Sequence, residues 1–109
     1  MLKRCRLRKN ASFQYVYRKG TAVSSDLMTL IFVKAKGLKV GVSVSKKIGK
    51  SVVRNLAKRR INENFMRLIP RLKDEYNYVV VAKEGIAGAD FRSIGESLET
   101  LLIRAGHLN

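Results

Sequence analysis

Hydrophobic and polar positions change period several times along this chain, and each change marks an element. Residues 10–19 place Phe13, Val16 and Tyr17 on one side at three- and four-residue spacing, with Gln14 and Arg18 elsewhere, which predicts a helix. Asn10 is placed to cap it, and Gly20 to stop it in a left-handed conformation. Residues 21–25 read as a short strand and residues 27–33 as a longer β-rich one, before a turn around Lys36 and Gly37. The clearest alternation follows in residues 38–45. Val40, Val42 and Val44 point one way and Gly41, Ser43 and Ser45 the other, so one face packs on helices while the other stays small and polar, with room for a ligand.

The period then becomes helical again. Ile48, Gly49 and Lys50 turn the chain into a helix that starts near Ser51 and ends around residues 67–69, ahead of the stop signal at Pro70. At about 100° per residue, Val53, Ala57, Ile61 and Leu68 line a buried stripe, and Arg54, Asn55, Lys58, Arg59 and Asn62 cover the opposite side. Arg60 falls near the apolar edge. Residues 76–83 read as a buried strand. A last helix over residues 91–105 turns Ile94, Leu98, Leu101 and Leu102 inward, and Gly106 closes it. Two starts are open to that helix: Asp90 as a cap, or Ser93 with Glu96 as a capping box one turn later.

No repeat, low-complexity tract or Gly/Pro-rich linker interrupts these elements, and 109 residues suffice for one domain with its own core, so a single domain over residues 1–109 is expected. Charge changes the picture more than length does. The formal net charge is +15, but residues 1–67 hold 18 basic and 2 acidic side chains (+16), whereas residues 68–109 hold 5 and 6 (−1). Binding therefore belongs to the first two thirds, and its partner is a polyanion. Between Lys46 and Arg67 there are eight Lys or Arg against one acid, Glu63. With 46% apolar residues the chain is not a disordered basic tail, and binding nucleic acid should stabilise it by offsetting self-repulsion.

Candidate chemistry is sparse. Cys5 is the single cysteine, so no internal disulfide and no thiolate zinc cluster can form. His107, two residues from the end and without an acid partner by spacing, reads as decoration on a frayed terminus. Asp26, Glu84 and Asp90 are isolated acids, and no carboxylate cluster suits a two-metal phosphodiester hydrolase. The longest apolar run, residues 78–82, is far too short to span a bilayer, and no apolar segment follows the basic N-terminus as in a secretory signal. A cytoplasmic protein with no membrane partner and no small-molecule substrate is expected.

The order of elements, the Val-Gly-Val-Ser-Val-Ser-Lys-Lys strand, the Gly-Lys-Ser-Val-Val-Arg-Asn turn into a Lys-Arg-Arg helix and the opening Arg-Leu-Arg-Lys-Asn-x-x-Phe resemble the bacterial ribonuclease P protein subunit over nearly the whole chain. The resemblance implies an α+β two-layer sandwich of order αβββαβα, with a four-stranded mixed sheet. It also implies a left-handed βαβ crossover, against the right-handed form seen in about 98% of cases. The implied function is to assist a catalytic RNA that removes the 5′ leader of precursor tRNA; ribonuclease P RNA and precursor tRNA are the partners. Divalent ions, Mg²⁺ above all, are then held mainly by RNA and perform the hydrolysis, with no cofactor bound tightly by the protein and no catalytic residue in it.

Site residues follow from the resemblance together with the charge. The family's Arg-Asn-Arg motif stands here as Arg54-Asn55-Leu56, so its roles carry over without Leu56. Lys46, Lys47, Lys50, Arg54, Asn55, Lys58, Arg59 and Asn62 are the expected contacts to the catalytic RNA. Folded A-form RNA offers phosphates, 2′-hydroxyls and shape rather than base edges, which suits Lys, Arg and Asn. The helical pair Phe13 and Tyr17 would ordinarily be core; the resemblance implies instead that they line a cleft for the single-stranded leader, with Thr29, Ile31, Ser43 and Ser45 as its floor. The basic arm over residues 3–9 would track leader phosphates. Charge alone also fits a stand-alone RNA-binding or ribosome-associated protein, and the lack of an acid cluster argues against an autonomous nuclease.

Overall fold

Alternating valines at Val40 and Val42 become part of an edge strand in a four-stranded mixed sheet. The computed structural model describes residues 5–109. In chain order the elements are α1 (Asn10–Lys19), β1 (Thr21–Ser24), β2 (Met28–Lys34), β3 (Lys39–Ser43), α2 (Ser51–Leu68), β4 (Tyr76–Ala82) and α3 (Phe91–Arg104), the expected order αβββαβα. The strands lie in the order β1-β2-β4-β3. β4 is inserted between β2, to which it is antiparallel, and β3, to which it is parallel. The β3–β4 pair is joined through α2, since parallel neighbours need a crossover.

Period-two alternation divides the sheet into two unlike faces. Leu30, Val40, Tyr78 and Val80 pack with Ala57, Ile61, Phe65 and Leu68 of α2 and with Ile94, Leu98, Leu101 and Leu102 of α3, forming the main core. Phe65, absent from the expected stripe, is fully buried with its ring 5.2 Å from that of Tyr78. On the other face a smaller cluster of Leu7, Val16 and Val79, with Phe13, Ile31, Val33 and Val81 around it, carries α1. α1 therefore adds a partial layer opposite the main two. It leaves much of that face uncovered, with Ser24, Thr29, Val81 and Ser43 in register across the whole sheet.

Several local expectations are corrected. Asn10 is the first helical residue rather than a cap, because Lys9 precedes it in extended geometry without a capping side chain. Gly20 is not left-handed (φ −81°); a Cβ there would stand 2.4 Å from the Val16 carbonyl oxygen and 2.7 Å from Ile31 Cγ2, so glycine serves the close approach of α1 to β2. Asp90 settles the start of α3, accepting from the Ser93 N–H at 2.7 Å. That bond, the largest influence on it, holds the Asp90 carboxyl below its usual range. Asn64, a polar residue in the interior, is fully buried and satisfied: its amide donates to the Arg60 and Phe91 carbonyls at 2.9 and 3.0 Å and accepts from Arg67 at 3.2 Å.

His107 is the plainest reversal. After the left-handed Gly106 the chain folds back, and the imidazole packs 4.5 Å from the ring of Phe32 and 4.3 Å from that of Tyr76. Its Nδ1 lies 2.7 Å from the Tyr78 hydroxyl. It is thus a fixed member of an aromatic cluster. Burial lowers its pKa and, with Tyr76 adding a smaller push, raises that of Tyr78. A base with a depressed folded pKa favours folding above its unfolded value and loses that benefit as pH falls. Stability is therefore expected to decline as pH drops below about 6.5, because the unfolded chain takes up a proton the folded chain resists. Thermal midpoints between about pH 5 and 7.5 should show a shallower decline for His107→Gln; an unchanged slope would detach this imidazole from acid sensitivity.

Candidate nucleic-acid interface

The approach to α2 is a tight 3₁₀ turn over Lys46–Ile48, anchored by buried Ile48, that leaves Lys46, Lys47 and Lys50 exposed. Arg54, one turn into the helix, is half-buried and donates from Nε to the Gly49 carbonyl at 3.2 Å, so it braces this turn as well as facing outward. Asn55, Lys58 and Arg59 are exposed, and Asn62 is half-buried. Arg60 donates to the Ala89 carbonyl at 2.8 Å and Arg67 to Asn64. Three of the eight cations in residues 46–67 thus hold internal acceptors, leaving Lys46, Lys47, Lys50, Lys58 and Arg59. Among the described residues the ion pairs are Arg71–Glu99 and Arg92–Glu96, and neither touches this surface. No acid stands in the first turn of α2, so the positive end of its dipole adds to the same field.

Beside this surface lies a cleft of about 720 Å³ between the N-terminal arm, α1 and β3. The arm runs parallel to the outer edge of β3, its Leu7 N–H donating to the Val40 carbonyl at 2.9 Å. Leu7 anchors it by burial, while Arg6 and Arg8 are exposed. Lys3 and Arg4 of the expected basic arm lie outside the described residues. Phe13 is half-buried and lines the cleft with Gly41 and Val42, while Lys58 and Asn62 of α2 open onto the same space. Tyr17, 39% exposed, continues the aromatic surface, its ring 6.5 Å from that of Phe13. Thr29, Ile31 and Ser43 lie half-exposed on the same sheet face. Thr29 is tied to Ser24 by a 2.8 Å hydroxyl bond, and Ser45 is exposed just past the end of β3.

The room expected over Gly41 is already taken. A Cβ at Gly41 would stand 2.4 Å from Phe13 Cζ and 3.3 Å from Leu7 Cβ, so the bare backbone lets the ring settle against β3. Alternation alone did not single out Gly41 as the seat of Phe13; a glycine inside a strand pattern was the available signal. Gly41→Val is expected to lift Phe13 out of its seat and weaken binding of any single strand stacked there. Titration with a short single-stranded RNA checks this, and unchanged affinity would show that the ring's depth is immaterial.

Fold and surface define a small basic αβββαβα protein that sets a cationic helix beside a partly covered sheet. The sequence matches the family model described as Ribonuclease P over residues 1–106. It is 42% identical over 109 residues to the ribonuclease P protein component of Clostridium perfringens strain 13, covering 92% of this chain and 87% of that one. Identity to the Clostridium acetobutylicum component is 40%, covering 96% and 92%. Among solved structures, the Staphylococcus aureus RNase P protein superposes with a TM-score of 0.88 at 32% identity, covering 96% of this chain and 98% of that one. The Thermotoga maritima RNase P protein gives 0.81 at 27% identity, covering 91% and 96%. The chain belongs to the ribonuclease P protein family, and with it to tRNA processing.

Proposed function

We propose that this chain is the non-catalytic protein subunit of ribonuclease P, acting in the cytoplasm with ribonuclease P RNA to remove the 5′ leader of precursor tRNA. The observation that carries the reading is a run of five cations in no ion pair among the described residues, Lys46, Lys47, Lys50, Lys58 and Arg59, one of which, Lys58, opens with Asn62 onto the Phe13 cleft. The cations, with Asn55, meet phosphates of folded RNA. The cleft takes the single-stranded leader, whose bases stack on Phe13 and Tyr17 whatever their identity. Ile31, packed in the small cluster with Phe13, backs the rings, and Thr29 and Ser43 extend the same sheet face, with Ser45 just beyond it.

Among the described residues no three of His, Cys, Asp and Glu come together. In this reading the Mg²⁺ ions that hydrolysis needs are held mainly by RNA. No described helix is long and apolar enough to cross a membrane. The protein's contribution is then to neutralise phosphate repulsion and hold substrate, raising affinity for both substrate and metal.

Reconstitution tests this. Adding the chain to a ribonuclease P RNA is expected to permit correct 5′-leader removal at a Mg²⁺ concentration where the RNA alone is slow. Failure to lower the Mg²⁺ requirement, with RNA binding intact, would favour a stand-alone or ribosome-associated RNA-binding role. Cleavage by the protein alone would overturn the non-catalytic assignment.

A further inference from the structure

Most apolar side chains of α2 turn to the core, but Val52 and Leu56 do not. Val52 is 78% exposed, more than any other large apolar residue among those described, and Leu56, one turn on, is half-exposed; neither belongs to the main core or to the smaller cluster. Four residues apart, they are neighbours on one strip of the helix. Leu56 stands where the family's motif carries its second arginine, so the strip is apolar where the pattern has a cation. Its borders are polar. Asn55 and Arg59, three residues past Val52 and Leu56 respectively, are exposed, as are Lys46, Lys47 and Lys50 at the helix entry, and Arg60 is held to the Ala89 carbonyl. Glu63, the one acid of α2, stands about two turns beyond Leu56.

Position around the helix separates this strip from the Phe13 cleft. With about 3.6 residues per turn, Leu56 points about 160° away from Lys58 and about 120° away from Asn62, the two α2 residues that open onto that cleft. A strand lying in the cleft does not cover the strip. A second copy of this chain is disfavoured there, because a cationic border and a net charge of +15 repel their like. The same border attracts RNA, which also supplies apolar matter in the faces of unstacked bases.

We propose that Val52 and Leu56 form an apolar anchor for the face of an unpaired base of ribonuclease P RNA, on the side of α2 turned away from the leader. The inference rests on the reading of this chain as that RNA's protein subunit. The bordering cations meet neighbouring phosphates, and the strip adds a share of affinity that salt does not screen.

The test compares wild type with the double variant Val52→Ala and Leu56→Ala and with the single variant Leu56→Met, measuring affinity for ribonuclease P RNA without substrate across a salt series. Both side chains lie outside the two clusters, so the fold should survive, which circular dichroism checks. The double variant should bind about tenfold more weakly or worse at every salt concentration, each buried carbon being worth roughly fourfold, with the slope of log K against log salt unchanged. Leu56→Met keeps an apolar side chain of similar volume and should bind as wild type does. Undiminished affinity of the double variant would overturn the anchor, and so would a loss that fades as salt rises. Weakened binding of precursor tRNA alone, with affinity for the catalytic RNA intact, would move the strip to the leader and overturn it too. Concentration-dependent dimers of the free wild type, absent from the double variant, would give the strip to a second copy instead. Wild type that binds ribonuclease P RNA at no salt concentration would overturn the subunit reading itself, and the anchor with it.

Discussion

Replacing Phe13 and Tyr17 together by alanine is expected to weaken binding of leader-bearing precursor tRNA while leaving mature tRNA affinity unchanged. Stacking of a base on an aromatic ring is worth about 1–3 kcal/mol, roughly a 5- to 150-fold change in affinity per base. Both rings keep enough exposure to offer a face, and neither belongs to the main core, so folding should survive. Some stability will still go with Phe13, which rests on Gly41 and the small cluster around Leu7 and Val16. Circular dichroism and thermal melting separate that loss from lost recognition. Equal weakening of precursor and mature tRNA would defeat the cleft assignment.

Neutralising Lys46, Lys47, Lys50, Lys58 and Arg59 together should be still more damaging to function. If these side chains meet about five phosphates, log K for ribonuclease P RNA falls with log salt at a slope of roughly −3.5 to −4.5, and most of that dependence should vanish in the neutralised variant. Rescue of RNA-driven cleavage at low Mg²⁺ should vanish with it. Stability should move the other way. None of these five is in either ion pair among the described residues, so removing them relieves repulsion, and the thermal midpoint should hold or rise. A wild-type complex with an almost flat salt response would assign the surface to solvent.

The elements were legible in the chain because burial imposes a period. Val40 and Val42 face the main core as their alternation predicts, and Ile94, Leu98, Leu101 and Leu102 are all buried. Misreadings arose where a contact comes from far along the chain. Gly20 looks like a left-handed stop until β2 packs against it. His107 looks like a loose end because Phe32 and Tyr76 are remote in sequence and adjacent in space.

The same division holds for the site. The excess of cations in residues 1–67 is a property of composition, and no fold was needed to see that a polyanion must offset it. Which cations remain available was decided by tertiary structure: Arg54, Arg60 and Arg67 turn to internal acceptors, and Lys36 and Lys39 converge with the arm. By itself the sequence determined the elements, the faces they bury and the sign of the partner's charge, since periodicity and net charge are local and additive. The setting of His107 and the cleft between the arm, α1 and β3 belong to the folded chain alone, because each depends on distances between residues that no pattern along the sequence encodes.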